Sequence, residues 1–234
     1  MHRGRVLYVN WLDWLFDASL HFGDKEILWR EIIGNLFGLA SALGGMRRRV
    51  WAWPVGIAGN LLLLTVFLGA VFNTPESQNL LGQAGRQVMF IAVSIYGWYR
   101  WRGASGTGAP AVTPRWASRK ERLVLIGVGA VAVAVLTPVF RELGSFEPVW
   151  VDAWIFTGSV LATYGMARGW VDFWLIWILV DIVGVRFLLK AELYPSAIMY
   201  IVYGLFCVAG LVVWIRSRDQ LVTDVDDPSV EVVA

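Results

Sequence analysis

Seven apolar stretches, parted by loops that carry most of the charge, restrict this chain to a helical membrane architecture. They cover roughly residues 32–46, 50–71, 87–101, 123–140, 151–166, 170–189 and 198–215. Several come near the ~20 residues that a helix needs to cross a bilayer core, and the shorter ones extend into their flanks. With 57% hydrophobic and 16% charged residues among 234, the chain reads as a polytopic membrane protein rather than a soluble domain. The fold class that follows is all-α and integral to the membrane, with seven transmembrane helices. Before the first span, Asp13 and Asp17 interrupt the apolar pieces, and no apolar run with a small-residue cleavage site is present. That segment predicts an interfacial amphipathic helix over 8–20 rather than a signal peptide or an eighth span.

The basic residues set an expected orientation. With seven spans, Arg47, Arg48, Arg49, Arg100, Arg102, Arg115, Arg119, Lys120, Arg122, Arg168, Arg216 and Arg218 fall on one side, which is expected to be cytoplasmic. The N-terminus is then outside and the C-terminus inside. The expected organisation is an extracytoplasmic segment 1–29, a first bundle 30–102, a cytoplasmic linker 103–121, a linker helix with its outer loop 122–148, a second bundle 149–218 and a tail 219–234. Residues 103–118 are rich in Gly, Ala and Pro and read as a flexible linker; 219–234 reads as an acidic disordered tail. A net charge of +2 carried in loops gives no nucleic-acid face. Cys207 is the single cysteine, and His2 and His21 lie outside the spans, so neither a disulfide nor a metal site is expected, and no cofactor.

Within the sixth span, Trp174, Trp177 and Asp181 form a W-x-x-W-x-x-x-D run whose spacings place all three on one helix face. Indole faces stack on flat rings and attract cations, and a carboxylate in hydrocarbon marks a bundle interior or a polar cavity. Tryptophan pairs in membrane helices also serve as plain packing or as interfacial belts.

The rare residues of the first three spans match those of the last three. Glu31, Trp53 and Asn60 correspond to Asp152, Trp174 and Asp181 at an offset of 121, and Gln87, Gly97 and Trp101 correspond to Tyr200, Gly210 and Trp214 at an offset of 113. The eight-residue change falls in one loop, where 72–79 reads as an insertion. Two three-helix repeats joined by a single connecting helix run in the same direction across the membrane, and solute sites in such folds lie near the midplane between repeats. The candidate substrate-binding residues are therefore Trp174, Trp177, Asp181, Gln87, Asn60, Tyr200 and Tyr203. The expectation is that Asn60 and Gln87 face Asp181 and Tyr200 across one cavity. Asn60 could instead satisfy carbonyls freed by Pro54, Gln87 could be interhelical glue, and the tyrosines could be core. Glu31 and Asp152 fit helix starts, where acids complement the macrodipole.

Three segments together resemble the PnuC family of vitamin transporters: Trp53-Pro54-x-Gly56-Ile57, the stretch from Gln87 ending in Ile95-Tyr96-Gly97-Trp98-Tyr99-x-Trp101, and Trp174-x-x-Trp177 followed by Asp181. The resemblance implies a SWEET-like 3+1+3 fold, often a homotrimer. It also implies facilitated diffusion of nicotinamide riboside for NAD biosynthesis, with trapping by a cytosolic kinase; relatives are linked to thiamine, riboflavin or deoxynucleosides. Trp174 and Trp177 would flank the substrate ring, while Gln87, Asn60 and Asp181 would bind amide and ribose groups. Asp181 stands where some nicotinamide riboside carriers have Asn, a departure that leaves the vitamin open.

Other functions fit less well. An enzyme would need a nucleophile with its base or a metal cluster, yet no His lies in a span and the carboxylates are dispersed. Channels show filter-like loops or charge rings, which are not apparent. No G-x-x-x-x-G-K-[ST] sequence occurs to power transport with ATP.

Overall fold

The computed structural model describes residues 19–22, 25–68, 71, 81–104, 110–145, 148–190 and 194–226. A short antiparallel hairpin, β1 (Ser19–Phe22) and β2 (Lys25–Leu28), leads into seven helices among the described residues. These are α1 (Trp29–Met46), α2 (Ala52–Phe67), α3 (Leu81–Trp101), α4 (Arg119–Glu142), α5 (Trp150–Ala167), α6 (Asp172–Lys190) and α7 (Tyr194–Asp226). Arg119–Glu142 and Tyr200–Gln220 are each long and apolar enough to cross a membrane, and Ala52–Phe67 is apolar but shorter. The amphipathic helix expected over 8–20 lies mostly outside the described residues, and its last two positions belong to β1.

Helix α1 packs on α2 and α2 on α3; likewise α5 packs on α6 and α6 on α7. The two groups meet through α3 against α5, with a smaller contact of α1 with α7, and α4 lies along α5. Helix α4 begins with a full capping box: Ser118 accepts from the Glu121 N–H at 3.3 Å, and the Glu121 carboxylate accepts from the Ser118 N–H at 2.7 Å. Glu31 and Asp152 sit in the first turns of α1 and α5. Pro54 falls in the first turn of α2, where its missing N–H leaves no broken bond. Asn60 therefore has no proline-freed carbonyl to satisfy.

The turns that end α1 and α5 match bond for bond at the offset of 121. Arg49 N–H bonds Gly44 O at 2.9 Å and Arg48 N–H bonds Gly45 O at 3.0 Å; Trp170 N–H bonds Gly165 O at 2.9 Å and Gly169 N–H bonds Met166 O at 3.0 Å. Both are Schellman caps, which require a left-handed residue just past the helix. That residue is Arg48 (φ 54°) in the first turn and Gly169 (φ 75°) in the second.

Above each turn stands a buried tryptophan. Trp53 (2% exposed) lies so close to Gly97 that a Cβ there would come within 2.4 Å of the indole, and Trp174 (4% exposed) leaves 2.3 Å at Gly210. Each also meets a second indole edge-on, Trp53 with Trp101 at 5.1 Å and Trp174 with Trp214 at 6.3 Å between centroids. Those second indoles tie the halves together. Trp101 Nε1–H donates to Ala167 O at the end of α5, and Trp214 Nε1–H donates to Met46 O at the end of α1, both at 3.1 Å.

Two expectations need correction. Residues 110–118, read from composition as part of a flexible linker, form an ordered strap across both turns. Ala111 N–H bonds Arg48 O at 2.8 Å, Arg115 N–H bonds Gly169 O at 3.0 Å, and Val171 N–H bonds Arg115 O at 2.8 Å. Asp172 then holds the strap to α4: it accepts from Ala117 N–H at 2.7 Å and pairs with Arg122 Nε at 2.6 Å. Backbone bonds carry no compositional signature, so the Gly/Ala/Pro content misled. The tail expected to be disordered from residue 219 instead continues α7 as helix to Asp226. Residues 227–234 lie outside the described residues.

The two cap residues invite opposite substitutions. Gly169→Ala places a Cβ in a left-handed residue and 2.5 Å from Val112 Cγ2, and should destabilise the protein by at least ~1–2 kcal/mol. Arg48→Gly should be neutral or stabilising by up to ~1 kcal/mol. Thermal unfolding of the two variants in one detergent compares them directly.

Candidate functional site

The residues singled out by the sequence divide into three groups. Trp174 belongs to the packed core: Phe173 (4.4 Å), Phe206 (6.1 Å) and Trp214 (6.3 Å) surround its ring. Tyr200 lies against Gly184, whose added Cβ would meet the phenol ring at 2.4 Å, so it closes the α6–α7 seam. Tyr203, 41% exposed, lies on the open side of α7 with Val202 and Leu205 and is not brought to the others. The i,i+3 spacing of the two tyrosines thus spans a seam and an outer face.

Trp177 and Asp181 are placed differently. Trp177 is half-buried and stacks on Phe90 of α3, with centroids 6.3 Å apart and planes 21° apart. Its ring therefore reaches from the second group of helices to the first. Asp181 is 7% exposed, beside α7: a Cβ on Gly204 would lie 3.7 Å from Oδ2, and the buried Cys207 lies on the same helix one turn farther on. Its Oδ2 is buried and finds no partner among the described residues. A lone acceptor oxygen in such a place is costly unless a ligand donates to it. Trp174 and Asp181 face α7, whereas Trp177 faces α3, so the W-x-x-W-x-x-x-D run divides its side chains between two neighbours.

On α3, Gln87 (5% exposed) and Ser94 (6% exposed) are buried one turn either side of Phe90. Asn60, half-buried, lies at the middle of α2. Sequence reasoning missed Phe90, one of twelve phenylalanines with nothing to mark it, and Thr157 of α5. Thr157 is 4% exposed, with a buried hydroxyl that finds no partner among the described residues. Ser159 and Thr163 on the same helix instead donate to carbonyls one turn back, at 2.7 and 2.8 Å. The contrast in bonding, not residue type, distinguishes Thr157.

A separate hollow of about 610 Å³, bordered by Trp116, Ala117, Arg122 and Leu175, opens at the strap end of α6. It contains none of the candidate residues. No group of three or more metal-ligating side chains occurs among the described residues. The arrangement around Trp177 offers ring faces and isolated hydrogen-bonding groups, which suit recognition of a flat polar molecule.

Comparison with known proteins gives this arrangement a family. Residues 28–216 match the family model described as nicotinamide mononucleotide transporter. The chain is 37% identical over 212 residues to the riboflavin/roseoflavin transporter RibM of Streptomyces davaonensis, covering 88% of this chain and 94% of that protein. It is 24% identical over 223 residues to the nicotinamide riboside transporter PnuC of Escherichia coli K12, covering 85% and 90%. The crystal structure of the vitamin B3 transporter PnuC shares the fold, with a TM-score of 0.62 at 19% identity over 82% of this chain and 83% of that one. The chain belongs to the PnuC family of vitamin transporters.

Proposed function

We propose that this protein carries riboflavin across the cell's inner membrane by facilitated diffusion. The observation that carries the choice of vitamin is the 37% identity to a riboflavin transporter over nearly the whole chain. Nicotinamide riboside is the second reading, favoured by the buried, unpartnered Asp181 Oδ2, whose charge would balance a pyridinium. For riboflavin the same oxygen would accept from a ribityl hydroxyl or the ring imide N–H.

In this reading the ring stacks on Trp177, Asp181 and Gln87 bind its polar groups, and Asn60 and Thr157 line the path. The fold is a 3+1+3 pair of parallel three-helix repeats with α4 as linker, supported by the matched caps and by the crossed Trp101 and Trp214 bonds. Rocking of one repeat against the other would expose the site to each side in turn. The arginine-rich strap end faces the cytoplasm, which puts the C-terminus inside and the N-terminus outside. In this reading net uptake follows the gradient, in keeping with a sequence that carries no G-x-x-x-x-G-K-[ST] motif, and is maintained when a cytosolic kinase phosphorylates the vitamin. The chain assembles as a homotrimer in the lipid bilayer, as the family resemblance implies.

Purified protein in liposomes should take up labelled riboflavin saturably without ATP or an ion gradient; strict dependence on either contradicts facilitated diffusion. Asp181→Asn should weaken nicotinamide riboside binding more than riboflavin binding, and equal losses would remove the charge argument. Trp174→Ala should cost about 3–5 kcal/mol of stability because it empties a packed core site, whereas Trp177→Ala should lose binding with a much smaller fall in Tm. Thermal melts and vitamin titrations on both variants distinguish packing from recognition.

A further inference from the structure

We infer that Phe90 is the second jaw of an aromatic clamp, which takes the substrate's flat ring between itself and Trp177 and directs the substrate's hydroxylated tail toward Gln87 and Asp181. This rests on the vitamin-carrier reading and assigns it a specificity-determining residue on the opposite half of the molecule.

The near-parallel facing of the two rings, one from each group of helices, carries the inference. A flat ring held on both faces at van der Waals contact needs about 7 Å between its neighbours, twice the ~3.5 Å of an optimal carbon contact. Phe90 and Trp177 turn their faces to one another, with centroids 6.3 Å apart and planes within 21° of parallel, a distance at which offset rings touch directly; a flat ring enters between them as the two helices part. Other aromatic neighbours are poorer receptors. Trp174 is walled in by Phe173, Phe206 and Trp214, and its contacts with the last two are edge-on. Tyr96 and Tyr164 do stack, at 5.7 Å and 15°, but Trp170 already closes on Tyr164 edge-on at 5.6 Å.

Gln87 and Asp181 lie on the same side of the clamp. Helix α3 runs toward the strap end, where Trp101 bonds Ala167, and α6 starts there at Asp172. Gln87 precedes Phe90 by three residues and Asp181 follows Trp177 by four, so each lies about one turn farther from the strap than its jaw. The buried Asp181 Oδ2, with no partner among the described residues, is an acceptor on that side. The ligand class this selects is a planar heterocycle with a hydroxylated or amide-bearing substituent. Because one jaw is on α3 and the other on α6, ring binding also joins the two halves that must move during transport.

The test is titration of riboflavin into the purified full-length protein, read by quenching of flavin emission, which stacking on an indole produces. Wild type should quench saturably. Phe90→Leu, which keeps an apolar side chain but removes the ring, should weaken binding roughly 5- to 100-fold, with an unliganded Tm close to that of wild type. Phe90→Trp should keep affinity and lower the bound-state emission at least about twofold, because the flavin would then have an indole on each face. A Phe90→Leu protein that folds and binds within about twofold of wild type would overturn the clamp while leaving the vitamin reading in place. If Phe90→Leu does not fold, unchanged bound-state emission in Phe90→Trp overturns it. Absence of saturable quenching by wild type, with no binding of nicotinamide riboside in a parallel calorimetric titration, would overturn the vitamin reading and the clamp together.

Discussion

Two indoles donating between the two groups of helices hold the rest of this structure in register. Trp101 and Trp214 each give a buried N–H to the last carbonyl of a helix in the other half, Ala167 O and Met46 O, and those two acceptors are themselves 121 residues apart. Free carbonyls at helix ends are ready acceptors, and in a low-dielectric surround each such bond is expensive to break. Trp53 and Trp174 brace these donors edge-on, and each needs a glycine beneath it, Gly97 and Gly210. The strap then covers both turns through Arg48 O and Gly169 O. The result is a firm end at which the halves are tied, while the rings of Phe90 and Trp177 meet farther along the same interface.

That division suits a carrier. A transporter has to alternate exposure of a site without losing its assembly, and a tied end with a loosely stacked middle supplies both requirements. The polar groups in the middle follow the same logic. Ser159 and Thr163 satisfy themselves on their own helix, but Thr157 Oγ1 and Asp181 Oδ2 do not among the described residues. In the proposed reading the solute completes these two groups.

Much of this was legible in the sequence. Apolar runs of near-membrane length located the seven helices among the described residues, because a bilayer forces such runs into helix. The offset of 121 was visible because Trp53 and Trp174 are the same residue type under the same constraint, a glycine on the next helix. Other parts left no mark. A backbone carbonyl looks alike at every position, so nothing in the sequence showed that Met46 and Ala167 accept the crossed bonds or that 110–118 is a strap. Helical spacing placed Trp174 and Trp177 on adjacent positions of one face, but it could not tell a ring enclosed by Phe206 and Trp214 from one that meets a partner across the interface. Phe90 escaped notice because its importance comes from what lies opposite, a relation between helices distant in sequence.

The central claim is that a flat vitamin ring is gripped between the two halves beside Trp177. An experimental structure of the protein with riboflavin bound tests it most directly. The isoalloxazine ring should be stacked on Trp177 between α3 and α6, with its ribityl chain on the Gln87 and Asp181 side. A flavin bound instead at the Trp116 and Arg122 hollow, or wholly within one half and out of contact with Trp177, would contradict it.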